Sequence, residues 1–159
     1  MKKKIFITLF ILAAIGLLIF LCVLFKKNTT SYTPQQNLEA PIEIPDTGII
    51  SIQEAEKIDK PVVALFYVDW CGYCRNFMPV FGEFANKYKN DYSFAAINCD
   101  NPQYKNLVEE FHIMGFPSLF IIDNKINHKF SLNMASAAEK SVMKEELDNY
   151  LKVRENIIK

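Results

Sequence analysis

The sequence predicts an α/β fold, a central mixed β-sheet flanked by helices, preceded by one N-terminal transmembrane helix. Three observations predict it. Residues Ile5 to Phe25 form an unbroken apolar run without a charge. From Ile49 onward, strand-like and helix-like segments alternate in the order β-α-β-α-β-α-β-β-α, which places helices on both faces of one sheet. Val62–Val68 (VVALFYV) is apolar throughout and rich in β-branched and aromatic residues, the pattern of a buried central strand.

As a helix, Ile5–Phe25 reaches about 30 Å, the thickness of a bilayer's hydrocarbon core. A cleaved signal peptide has an apolar core of about 7–15 residues and a small-residue cleavage site. Here the run is longer and Phe25-Lys26-Lys27-Asn28 follows it, so the segment is expected to remain as an anchor. Leu21 precedes Cys22 where a lipidated cysteine follows a small residue, so Cys22 is expected simply to face lipid. Lys2, Lys3, Lys4 and the α-amino group flank one end, Lys26 and Lys27 the other. The positive-inside bias then favours a cytoplasmic N-terminus (residues 1–4) and an exported C-terminal domain. No further long apolar run follows, so a single span is expected.

Half of the chain is hydrophobic, and its formal net charge is zero. That neutrality is a sum of opposites. Removing the five lysines of residues 1–27 from the total of eighteen basic residues leaves 13 against 18 acidic ones. An acidic domain with no basic block has no electrostatic reason to bind nucleic acid.

Residues 26–48 read as a flexible linker, because Pro34, Pro41 and Pro45 punctuate a stretch without helical or strand period. The domain then fills residues 49–159, enough for one hydrophobic core. Ile49–Ile52 reads as a short first strand. Ser51 and Glu54 are spaced as a capping box for a helix through about Asp59, ended by Lys60-Pro61. After the Val62–Val68 strand, a helix is expected from near Cys71 to about Tyr88, with Phe77, Val80, Phe81 and Phe84 on one face and a kink at Pro79. Tyr92–Asn98 is a strand and Pro102–Phe111 a helix. Ser118–Ile122 and about Ile126–Leu132 form a hairpin around Asp123-Asn124-Lys125. Ala137 to about Val153 closes the domain as an amphipathic helix with Val142, Leu147, Tyr150 and Leu151 inward.

The chemistry lies in Trp70-Cys71-Gly72-Tyr73-Cys74. Two cysteines three apart at a helix start can close a small disulfide ring and reopen it. Cys71 is expected at the helix N-terminus, where unpaired N–H groups and the macrodipole favour negative charge, and the thiolate is the nucleophile. Cys74, one turn further in, is expected to be buried and to resolve the mixed disulfide. Gly72 permits the tight turn, and Trp70 offers a flat apolar surface beside the exposed sulfur. Structural zinc would need two more ligands; Cys99, His112 and His128 remain, without a second paired spacing. C-type haem attachment requires His after the second cysteine, and Arg75 stands there. An inert structural disulfide would have no need of a strand–helix junction.

From Val62 onward the residues resemble the thioredoxin superfamily, over about two-thirds of the chain. The matches are the strand leading into Asp69-Trp70-Cys71-Gly72-Tyr73-Cys74, then Pro79 at the family's helix-kink position, then Gly115-Phe116-Pro117-Ser118 in place of the family's Gly-Ile/Val-Pro-Thr. The resemblance implies a cis bond before Pro117 beside the active cysteines, against a prior of about 5% for any X–Pro bond. It also implies that the Phe116 backbone pairs with an extended substrate segment, a form of strand addition; Trp70, Gly72, Tyr73, Phe116 and Pro117 are then the substrate-binding residues. Two departures stand out. Leu65 occupies the place of the family's buried acid, and Ala96 that of its partnering lysine, so deprotonation of Cys74 is expected to be slow. Asp69 is expected to be solvated beside the active-site loop. Gly72-Tyr73 resembles the dipeptide of bacterial exported disulfide isomerases, although a separate dimerisation domain like theirs is not expected.

Other residues receive plainer readings. Cys99 is expected to be a small buried hydrophobe, His112 a capping or surface residue, Arg75 a source of positive potential near Cys71 or a solvated side chain, and Met114 a packing residue. The chain is thus expected to be a thiol–disulfide oxidoreductase of the cytoplasmic membrane, its domain on the exported or periplasmic side. It would exchange disulfides with exported or membrane proteins, without a cofactor beyond the redox-active disulfide Cys71–Cys74, without metal, and with a redox partner that recharges the pair. Two other classes stay open: a chaperone or assembly module using the Pro117 groove, and a protein binding a soft metal through Cys71 and Cys74.

Overall fold

The computed structural model describes residues 40–159. The predicted transmembrane helix, Cys22 and the first part of the predicted linker lie outside them. Among the described residues, no helix is long and apolar enough to cross a membrane. Strand β1 (Ile49–Ile50) leads through α1 (Ile52–Ala55) to β2 (Val62–Tyr67), α2 (Gly72–Tyr88) and β3 (Ser93–Asn98). A 3-10 turn at Pro102–Tyr104 opens α3 (Lys105–Glu110), followed by β4 (Ser118–Asp123) and β5 (His128–Ser131). A second 3-10 turn, Met134–Ala137, precedes α4 (Lys140–Ile157).

The strands form one sheet in the order β1-β3-β2-β4-β5. β1, β3 and β2 run parallel, while β4 pairs antiparallel with both β2 and β5. The sheet is mixed, as the alternation of elements predicted. All six residues of β2 are buried, because the strand is central and helices cover both of its faces. Val63, Leu65 and Tyr67 join a core with Phe77, Phe81 and Phe84 of α2 and Met143 and Leu147 of α4. Val62, Ala64 and Phe66 face the other way, toward Ile52, Ala55 and Phe111. Aromatic rings lock both layers: Phe81 meets Phe94 at 5.3 Å, and Phe66 meets Phe111 at 5.1 Å.

The element boundaries shift for identifiable reasons. The Ser51–Glu54 capping box is present, but α1 stops at Ala55 and tapers through Lys57 N→Glu54 O and Ile58 N→Ala55 O bonds. These bonds, each to the carbonyl three residues earlier, make a tightened last turn, and Pro61 keeps helix from reaching Lys60. The last helix begins at Lys140 rather than Ala137, since Ala137 belongs to the 3-10 turn and Glu139 is extended (φ −127°, ψ 116°). Its inward face carries Leu147, Tyr150 and Leu151 as expected, with Met143 in place of Val142. Met143 and Leu147 are fully buried, Val142 only half so. Pro79 lies inside α2, where its ring forfeits the bond to the carbonyl four residues earlier.

The linker reading does not hold for its last residues. Ile42 is buried in the same core as Cys71, Cys74 and Met78. A Cβ on Gly82 of α2 would meet Thr47 Oγ1 at 2.9 Å and Pro45 Cβ at 3.0 Å. Residues 40–47 are therefore laid against α2 as a strap, and Gly82 is what allows the approach.

Candidate active site

β2 ends at Tyr67, and the chain turns through Val68, Asp69 and Trp70 before α2 begins. A bond from Cys71 N to Val68 O, 3.2 Å, closes that turn. Cys71 is the N-cap of α2, with extended backbone (φ −84°, ψ 110°). Its Sγ accepts from Cys74 N at 3.2 Å, the bond an N-cap oxygen usually makes. The same sulfur donates its thiol proton toward Phe116 O at 3.6 Å. No disulfide joins the two cysteines. Cys71 is 7% exposed and Cys74 not at all, so a reagent from solvent meets Cys71 first.

Burial pushes the Cys74 thiol up to about 12, and the neighbouring Cys71 thiol adds to that rise. Nothing acidic stands on the strand beneath it. Leu65 is fully buried in the same core and lies opposite Ala96 in the β2–β3 register, the two positions where the superfamily resemblance calls for an acid and a lysine.

The Phe116–Pro117 bond is cis, as the resemblance implied. The cis bond brings the Phe116 carbonyl against Cys71, and the Trp70 ring meets the Phe116 ring edge-on at 6.0 Å. Trp70 is 58% exposed and Tyr73 80%, so both offer apolar surface at the rim. Beside them lies a cavity of about 500 Å³ lined by Tyr73, Phe77, Val80, Phe116, Pro117 and Ala137 among others. The structure thus brings Trp70, Cys71, Gly72, Tyr73, Cys74, Phe116 and Pro117 into one place. A second groove, about 560 Å³, lies between β5 and α4 and is lined by none of these.

Four lesser expectations need correction or refinement. Met114 is 98% exposed rather than packed, while Ile113 before it packs against the second core; His112, at the end of α3, takes a left-handed conformation (φ 49°). Asp69 is not freely solvated, since its Oδ1 accepts from Ile42 N and its Oδ2 from Asn98 Nδ2, each at 2.7 Å. Arg75 neither faces solvent freely nor serves Cys71 alone; its Nη2 donates to Ala40 O at 2.6 Å and Asp69 O at 2.8 Å. Cys99 is half-buried against both cores, its thiol pushed up to about 12 by burial. His112 is exposed, in keeping with a surface role. Among the described residues, no group of three or more Cys, His, Asp or Glu is arranged to hold a metal ion.

Ile42 and Asn98 are the site's neighbours that sequence reasoning missed. The available signal was an apolar residue, Ile42, amid prolines in a supposed linker.

Residues 52–149 match the family model for thioredoxin. The thioredoxin-like protein HCF164, chloroplastic, of Arabidopsis thaliana is 32% identical over 77 residues, 48% of this chain and 30% of that protein. Protein disulfide-isomerase A5 of Bos taurus is 30% identical over 64 residues, 40% of this chain and 12% of that protein. The chain thus spans less than a third of the length of these curated relatives. Among solved structures, thioredoxin from Trypanosoma brucei brucei superposes with a TM-score of 0.52, at 19% identity, over 72% of this chain and 96% of that one. A likeness at that identity speaks for the fold. With the family match covering well over half of its residues, this chain belongs to the thioredoxin family.

Proposed function

We propose that the chain is a thiol–disulfide oxidoreductase working through Cys71 and Cys74. One observation carries the reading: an N-cap sulfur and a fully buried second sulfur lie one helical turn apart, against the carbonyl that precedes a cis proline. The Cys71 thiolate attacks one sulfur of a substrate disulfide, forming a mixed disulfide and releasing the other substrate sulfur as a thiolate. Cys74, deprotonated, then attacks the Cys71 sulfur. The Cys71–Cys74 bond forms, the second substrate sulfur leaves, and two electrons have passed to the substrate. Run backwards, the same steps donate a disulfide.

The geometry gives each residue a task. Cys74 N–H stabilises charge on the Cys71 sulfur. Phe116 supplies main-chain bonding for an extended substrate, held beside Cys71 by Pro117, while Trp70 and Tyr73 cover the flanking residues. No cofactor beyond the cysteine pair is needed. The substrates are exported or membrane proteins, and a separate redox partner recharges the pair. The apolar run Ile5–Phe25, with its lysine flanks, supports a single-pass anchor in the cytoplasmic membrane and a domain on the exported side.

The test is a trap. In the full chain carrying Cys74→Ala, client proteins should accumulate as mixed disulfides on Cys71, released by reductant and absent from Cys71→Ser. Wild-type protein that neither reduces insulin disulfides nor oxidises a reduced protein, together with an empty trap, would overturn the reading.

A further inference from the structure

We propose that residues 40–47 form a strap that positions the redox turn, with Asp69 and Arg75 as the positioning residues through which it acts. The proposal rests on the redox reading of Cys71. Asp69 stands two residues before that cysteine and Arg75 four after it, and both are tied to the strap. Ile42 N–H donates to Asp69 Oδ1 at 2.7 Å, and Arg75 Nη2 bridges Ala40 O and Asp69 O. A third segment joins them. Asn98, the last residue of β3, donates to Asp69 Oδ2 at 2.7 Å, and its own Oδ1 accepts from Asp100 N at 3.0 Å. The turn bearing Trp70 and Cys71 is therefore held from the strap, from the first turn of α2 and from the end of β3.

The strap's seat is built rather than incidental. Ile42 is 6% exposed, and Gly82 leaves no room for even one carbon between α2 and Thr47 or Pro45. An arginine on a helix surface usually sends its head into water. Arg75 instead spans two backbone carbonyls, and its Nε is buried without a hydrogen-bond partner. Through charge alone, a carboxylate near a sulfur that must ionise works against ionisation. Asp69 in this place is explained by what it holds, since misplacing a nucleophile by even about 1 Å slows its reaction steeply.

Charge and position predict opposite results, and that separates them. In the reduced full chain, in detergent micelles, the rate of carbamidomethylation at Cys71 is followed by mass spectrometry across pH, alongside thermal melting. Asp69→Ala and Gly82→Val should each slow the reaction at pH 7 about fivefold and move its pH profile to higher pH. The double variant should move it no further than either alone, because both act through one strap. Profiles that superimpose on wild type, even with lowered melting temperature, would overturn the proposal by reducing the strap to a structural brace. A shift of Asp69→Ala to lower pH would overturn it in favour of simple charge, and full additivity would refute the shared route. Should Gly82→Val fail to fold, Gly82→Ala, which still sets a carbon against Thr47 and Pro45, is read the same way. Alkylation reports the thiol itself, so an inactive wild type with these shifts intact would sink the oxidoreductase reading and leave the strap standing.

Discussion

Leu65 on β2 and Ala96 on β3 are direct partners in the parallel register, an apolar pair in the layer that also holds Cys74. Thioredoxin family resemblance places an acid and a lysine at those two positions. With an apolar pair there instead, neither position offers a side chain to take the proton of Cys74, which is buried with its thiol raised to about 12. The first half of the exchange is well served by the N-cap geometry of Cys71. The second half is not.

Restoring an acid should therefore speed resolution. Leu65→Asp buries a carboxylate that would rise toward neutrality and serve as a base. At pH 7, release of thionitrobenzoate from a mixed disulfide preformed on Cys71 should accelerate about tenfold or more. The same change should cost about 3 kcal/mol of stability, since the carboxyl has no partner in an apolar layer. An unchanged release rate in a folded variant would mean that another group already takes the proton.

In the wild type, resolution should climb with pH. A thiol held near 12 is ionised in about one molecule in 10⁵ at neutral pH, and each pH unit raises that fraction tenfold. Capture of a substrate by Cys71 removes the neighbouring thiol's contribution, but burial, the largest cause of the rise, stays. Thionitrobenzoate release should thus increase about a hundredfold from pH 7 to pH 9. A flat profile would show that proton transfer from Cys74 does not limit the step.

What the sequence disclosed and what it hid divide along chain distance. Cys71, Cys74, Pro79 and the cis Phe116–Pro117 bond sit in short motifs, so their placement could be read locally. The β2 run was legible because a strand buried on both faces needs no alternation. Asp69 could not be read in this way. Its partners, Ile42 and Asn98, lie 27 and 29 residues away, and nothing local distinguishes a stapled aspartate from a solvated one. Met114 escaped because an apolar side chain beside a Gly-Phe-Pro turn reads as packing, and its near-complete exposure is set by how the loop lies on the folded sheet. Met143, not Val142, faces inward because it lies four residues before Leu147 and so shares its face, a spacing the sequence itself offered.

Exposed apolar side chains around Cys71 should govern large substrates and not small ones. Trp70 and Tyr73, which flank Cys71 in the chain, stand 58% and 80% exposed, and Tyr73 lines the cavity beside Pro117. Tyr73→Ser should raise KM for insulin reduction about tenfold, the loss of about 1.4 kcal/mol of apolar contact. The rate with a small aromatic disulfide should stay within about twofold, because that reagent needs only the sulfur. Equal losses with both substrates would assign the rim to the folding of the turn.

Acid should undo a different link. Asp123, 1% exposed at the end of β4, accepts from Arg154 Nε, Tyr150 Oη and Lys125 N, joining α4 to the sheet. Burial pushes its carboxyl up, but the Arg154 hydrogen bond and charge, with help from Tyr150 and Lys125, outweigh that and hold it below the usual range. A carboxyl lowered on folding stabilises fully above its unfolded value, about pH 4, and loses that contribution as pH falls through the folded value. Arg154→Met leaves the carboxylate buried without its cation and should cost about 3 kcal/mol at pH 7. In the variant the buried carboxyl, without its cation, is raised instead, and its protonation brings relief from above about pH 4. The wild type loses the pair below that pH, so the gap in melting temperature should narrow steadily as pH falls from neutrality. A gap that stays constant to pH 2 would show that Arg154 contributes through packing of its stem and not through its charge.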